Sequence, residues 1–179
     1  MKYQQYSALA ENTDQPIVLD HGHVFIWHKG AFHISTDRQR LDMDFIHRFL
    51  SHSHWAQDID RTTLENALRH SLCFGLYRKN RQLGFARLIT DHATFAYLSD
   101  VFITAEYRGN GLGLWLVQSC LDHPLMAGLR RIMLYTSQAP WLYARAGLEP
   151  VNQPDRVWTI TRPDIYQQPG TLHTAPSVH

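Results

Sequence analysis

Three glycines in five residues, Gly109, Gly111 and Gly113, stand between a strand-like run and a helix-like run, and no other stretch limits the fold as tightly. Tyr97 to Ile103 is apolar, β-branched and aromatic, as a buried strand requires. After the glycines, Leu112, Trp115, Leu116, Ser119 and Cys120 fall on one stripe at helical spacing. The turn between them carries backbone N–H groups that no Cβ shields. It also opens a helix, whose N-terminus is partly positive, so it can hold a phosphate or pyrophosphate. Glycine also simply tightens strand-to-helix connections, so the turn alone leaves both readings open.

The pattern is more specific than the turn. Arg108-Gly109-Asn110-Gly111-Leu112-Gly113 fits (Arg/Gln)-x-x-Gly-x-(Gly/Ala) and follows Val101-Phe102-Ile103. In this it resembles the GCN5-related N-acetyltransferase (GNAT) superfamily, which places that signature after a strand. Competing phosphate loops do not fit, since neither Gly-x-x-x-x-Gly-Lys-(Ser/Thr) nor Gly-x-Gly-x-x-Gly occurs at this turn. The resemblance covers roughly residues 34–161 and is sharpest from 72 to 149.

With 179 residues the chain is long enough for one domain with its own core. A formal net charge of +1 indicates no general attraction to nucleic acid or to a membrane surface, so a phosphate-rich ligand would have to be held locally. Cys73 and Cys120 sit in apolar segments and read as small buried hydrophobes in a reducing compartment. No leader-like segment and no run of about 18 apolar residues is visible, which makes the cytoplasm the expected location. Twelve histidines invite a metal reading, but His21-Gly22-His23 and His52-Ser53-His54 lack partners at zinc spacing, so no metal is expected.

Along the chain, residues 1–20 read as an irregular arm, 21–162 as the domain and 163–179 as a flexible tail. His23–His28 and Phe32–Thr36 read as paired strands around Lys29-Gly30. Thr36 or Asp37 is expected to cap a helix through Leu41, Phe45, Ile46, Phe49 and Leu50. A second helix follows through Leu64, Ala67 and Leu68, starting at Asp60 or Thr62. Leu72–Tyr77 and Leu83–Ile89 form a hairpin across a basic turn, and Ala93–Ile103 completes a meander. The glycine-turn helix should stop near Pro124. Arg131–Thr136 reads as a strand, Pro140–Ala146 as a short helix closed by Gly147, and Val157–Ile160 as a last strand. The fold class is α/β (α+β): a mixed central sheet with an antiparallel meander, flanked by helices.

The resemblance implies an acetyl-CoA-dependent N-acetyltransferase, with a small-molecule primary amine as acceptor and direct attack in a ternary complex. It leaves a homodimer open. Arg108, Gly109, Asn110, Gly111, Leu112 and Gly113 would anchor the coenzyme. Backbone groups near Phe102 and Ile103 would bind its pantetheine arm, one N–H polarising the thioester carbonyl. Tyr143 matches the tyrosine of the family's Tyr-x-x-x-Gly-(Phe/Leu) segment and would act on the leaving thiolate. A phenol pKa of about 10 against about 8.5 for a thiol makes hydrogen bonding at least as reasonable as full proton transfer. Asp100 would take the amine proton, directly or through water, or else cap a neighbouring loop or pair with an Arg such as Arg87. Trp55, Phe74 and Tyr77, with Trp27, are the candidate acceptor contacts. The rival readings are transfer of another acyl group, acylation of a protein N-terminus or lysine, and a non-catalytic acyl-CoA-binding regulatory module.

Overall fold

A computed structural model describes residues 16–19 and 22–167. The expectations placed on 1–15, on 20–21 and on the tail from 168 onward lie outside the described residues. One seven-stranded sheet runs in chain order: β1 (Ile17–Leu19), β2 (Val24–Lys29), β3 (Phe32–Ser35), β4 (Leu72–Arg78), β5 (Arg81–Thr90), β6 (Phe95–Ile103) and β7 (Arg131–Met133). Neighbours are antiparallel through β6, and β6–β7 is the parallel pair. A parallel pair needs a crossover, here made by α3 (Leu112–Leu121). The other helices are α1 (Met43–Ser51), α2 (Arg61–Arg69) and α4 (Pro140–Arg145).

Strand alternation sends successive side chains to two separate layers. On one face Phe74, Leu76, Ala86 and Leu88 pack with Leu112, Leu116, Val117 and Cys120 of α3. On the other, Cys73, Phe85 and Phe102 pack with Ile46 and Leu50 of α1 and Leu64 and Leu68 of α2. A sheet covered on both faces explains why β4 and β5 read as nearly unbroken apolar runs.

Several elements differ from the sequence reading. Asp37 caps only a single 3-10 turn, accepting from the Gln39 N–H, and the chain extends again at Leu41. Asp42 is the cap of α1, accepting from the Phe45 N–H at 2.9 Å. Ile17–Leu19, placed in the irregular arm by sequence, pairs with β2 as an edge strand. Val157–Ile160 is not a strand. Pro154–Arg156 forms a 3-10 turn, the Trp158 indole donates to the Asp155 carbonyl, and Trp158 and Ile160 stand exposed. Apolar residues make a strand only where an edge is offered to them.

Two departures from regularity in β6 shape the site. Pairing with β7 covers only Phe95, Ala96 and Tyr97, and β7 ends at Met133 rather than Thr136. From Leu98 to Ile103, β6 therefore has no strand on that side among the described residues. Beyond Ser99 the register with β5 slips, Asp100 and Val101 of β6 together opposing the single residue Ala86 of β5. Asp100 takes φ of 54° at this bulge, a conformation that Asp tolerates better than most residues.

Candidate active site

The glycine turn lies at the end of the unpaired part of β6. Gly109 and Gly111 have φ of 79° and 73°, which explains glycine at both positions. Gly111 is the N-cap of α3 and makes no side-chain cap, so the first N–H groups of the helix are left for a ligand or water. Polar side chains brace the turn from within. Arg108 Nε donates to the Ile103 carbonyl at 2.9 Å, and Asn110 Nδ2 donates to the carbonyls of Tyr107 and Arg108. A Cβ added at Gly109 or Gly111 would meet nothing within 4 Å, so the outer side of the turn is open. At Gly113 a Cβ would have ordinary contacts at 3.8 and 4.0 Å and the backbone is regular helix, so the fold itself does not require glycine there.

Asp100 sits at the centre of a buried polar network. Its Oδ2 accepts from Arg87 Nε at 2.5 Å, with side-chain exposure of 7% for Asp100 and 14% for Arg87. Its Oδ1 accepts from the Trp55 indole N–H at 3.2 Å and from the Ser99 hydroxyl at 3.3 Å. Arg87 also donates to the Ser71 hydroxyl at 3.1 Å. Of the roles left open by sequence, the geometry provides the ion pair, with both carboxylate oxygens occupied by donors.

Beside this network an open cavity of about 700 Å³ separates the end of α1 and the following loop from the glycine turn. Phe45, Phe49 and Trp55 form its aromatic wall; Arg48, His52, Ser53 and His54 come from α1 and the loop, Arg108 from the turn and Gln138 from the segment before α4. Phe49 stacks on Phe102 at 3.7 Å between ring centroids, which ties the wall to the unpaired stretch of β6. Trp55 is 44% exposed, one edge in the cavity and its N–H on Asp100. Arg48 and Phe49 were not singled out from sequence. The apolar spacing of α1 marks Phe49 as an inward residue, but not that this inward face looks onto a cavity.

Phe74 and Tyr77 lie elsewhere. Phe74 is fully buried against Trp27 and His123 in the α3 layer. Tyr77 folds across Gly75, stacks on His33 at 5.2 Å and lies under the Arg40 guanidinium at 4.6 Å. Neither reaches the cavity, and Trp27 is likewise a core residue. An aromatic in a strand lines a site only if its face of the sheet is left uncovered, and here both faces are covered.

Tyr143 projects from α4 into the α3 layer and is half-buried. Burial, with smaller contributions from Cys120 and Tyr97, raises its phenol above the ordinary value, so the hydroxyl keeps its proton and remains a donor at neutral pH. No hydrogen bond from it is made among the described residues. Gly147 closes α4 at φ of 92°. Among the described residues no three His, Cys, Asp or Glu side chains come together as metal ligands, and no helix is long and apolar enough to cross a membrane.

Pairing of the parallel strands β6 and β7 thus ends at Tyr97, beside an uncapped glycine turn, and the comparisons say which family this chain resembles. The sequence model of the Acetyltransferase (GNAT) family matches residues 38–147. A Gibberella zeae protein described as an acetyltransferase is 38% identical over 141 residues, covering 66% of this chain and 79% of that protein. A crystal structure from Xanthomonas campestris pv. campestris, described as an acetyltransferase of the GNAT family, is 45% identical with a TM-score of 0.73. It covers 76% of this chain and 97% of its own. A Clostridium acetobutylicum protein described as a predicted acetyltransferase, solved with acetyl-CoA, shares the fold at 13% identity and a TM-score of 0.50, covering 73% of this chain and 94% of its own. The chain belongs to the GNAT family of acetyltransferases.

Proposed function

We propose that the protein transfers the acetyl group of acetyl-CoA to a small primary amine by direct attack in a ternary complex. The observation that carries this reading is the end of β6–β7 pairing at Tyr97, which leaves Leu98–Ile103 free beside the open glycine turn. A pantetheine arm is an extended chain with amide groups, and it would take the place of the missing strand. The residues present fit that coenzyme: uncapped helix N–H groups for the pyrophosphate, free strand backbone for the arm and a protonated phenol for the thiolate. Bound acetyl-CoA would supply the activated acyl group.

Tyr143 would donate a hydrogen bond to the departing sulfur. Its raised pKa makes it a poorer acid and keeps it protonated, so stabilising the thiolate is its better role. Trp55, held by Asp100, would line the acceptor side. Retention of this phenol favours turnover over mere coenzyme binding. Calorimetry with acetyl-CoA, followed by thiol release over a panel of small amines, tests the reading. Tight binding with amine-dependent thiol release is expected. No binding by the folded protein would overturn it, and binding without release for any amine, peptide N-terminus or lysine would leave a binding module.

A further inference from the structure

We propose that the acceptor carries a compact oxyanion, a carboxylate or a phosphate, beside its amine, and that Arg48 is the residue that holds it. The proposal rests on the acetyltransferase reading and on the cavity between α1 and the glycine turn being its acceptor site. Among the described residues, two guanidiniums, Arg48 and Arg108, and two imidazoles, His52 and His54, line that cavity, and no carboxylate does. Asp100, which holds the indole of the lining residue Trp55, is already paired with Arg87. Asp44, one turn before Arg48 on α1, is paired with Arg61 and acts on Arg48 only through a weaker coulombic attraction. The Arg48 guanidinium is thus left with no ion pair or hydrogen bond among the described residues. Among the described residues Arg108 uses only its Nε, on the Ile103 carbonyl.

These charges decide what can enter. A simple alkylammonium brings a positive charge to a wall that already holds two and offers no counter-ion. An amine that also bears an oxyanion satisfies the idle guanidinium, and Arg is suited to planar or tetrahedral oxyanions because its N–H groups form a fork. Phe45, Phe49 and Trp55 then accommodate the apolar part of the molecule. The same field favours loss of the ammonium proton, because nearby like charge disfavours the charged form. The neutral amine needed for attack is therefore supplied by the surroundings and water, without a free carboxylate base. That matches a site whose one buried carboxylate is engaged by donors.

The experiment uses the full chain, saturating acetyl-CoA and two matched probe pairs: L-phenylalanine against L-phenylalaninamide, and 2-aminoethyl phosphate against ethanolamine. The read-out is kcat/KM for thiol release. The anionic member of at least one pair should be favoured by about tenfold or more, and which pair responds separates carboxylate from phosphate. Arg48→Gln, on an exposed helix position, should reduce that preference to within about threefold while leaving acetyl-CoA affinity by calorimetry unchanged. Equal turnover of both members, preference for the uncharged one, or a preference that survives in Arg48→Gln would each overturn the proposal and leave the acetyltransferase reading standing. Absence of turnover with all four probes would also overturn it, while failure of acetyl-CoA to bind would sink the broader reading.

Discussion

Replacing Arg87 with Met should destabilise the protein far more than loss of an ordinary surface charge. Met keeps the stem's volume and removes the guanidinium, leaving the Asp100 carboxylate, 7% exposed, with only the Trp55 indole and the Ser99 hydroxyl. Breaking a buried pair by removing one partner costs about 3–5 kcal/mol. For a chain of this size that is a fall in Tm on the order of 10 °C. Urea unfolding with a common m-value measures it. The double variant Arg87→Met/Asp100→Asn removes both charges, and Asn tolerates the φ of 54° at this position, so it should recover most of the loss. An Arg87→Met midpoint within about 0.5 kcal/mol of wild type, or a double variant no better than the single, would refute the argument. The folded double variant also tests chemistry. Single-turnover acetyl transfer within about tenfold of wild type is expected if Asp100 only positions Trp55, whereas a loss of about 10²–10⁴ would make it the base.

Tyr143→Phe should leave acetyl-CoA affinity and Tm unchanged, because the ring is packed and the hydroxyl bonds to nothing described. It should lower the single-turnover rate by up to about 10²-fold, and an unchanged rate would make the phenol structural. Gly113→Ala should keep coenzyme binding and raise stability by about 0.5–1 kcal/mol, since its Cβ has ordinary contacts. Gly111→Val should weaken acetyl-CoA binding in calorimetry, and at φ of 73° it should also cost about 1–2 kcal/mol. Unchanged affinity in the folded Gly111→Val protein would remove the turn from the coenzyme site. His33 and His123 are each lowered to about 4, chiefly by burial, with Arg40 and then His28 adding to His33, and His92 to His123. As pH falls from 6.5 toward 4 the unfolded chain takes up protons that these two folded imidazoles refuse, so stability drops across that window and these groups leave it flat above pH 7. A urea midpoint that does not move between pH 6.5 and 4.5 would contradict this.

What the sequence determined about this protein is local. Glycines that must take positive φ, a hairpin, an apolar stripe on α3 and a Gly147 stop each depend on neighbours a few residues away, and each is legible in the order of residues. The signature at 108–113 carried the family by resemblance, and the family comparisons agree. Tertiary structure decided which faces are covered. Phe74 and Tyr77 look no different in sequence from residues of a binding wall. They are core because α3 closes one face of the sheet and α1 with α2 closes the other. Asp100, Arg87 and Trp55 lie as far as 45 positions apart, and only the bulge in β6 and the loop after α1 bring them together. The cavity wall has the same origin. Arg48 reads as one solvated charge among many until folding gives Asp44 to Arg61 and sets Arg48 across from the glycine turn. Periodicity records which side of an element is apolar, but what that side meets depends on elements distant in the chain, and pairing and charge are settled there.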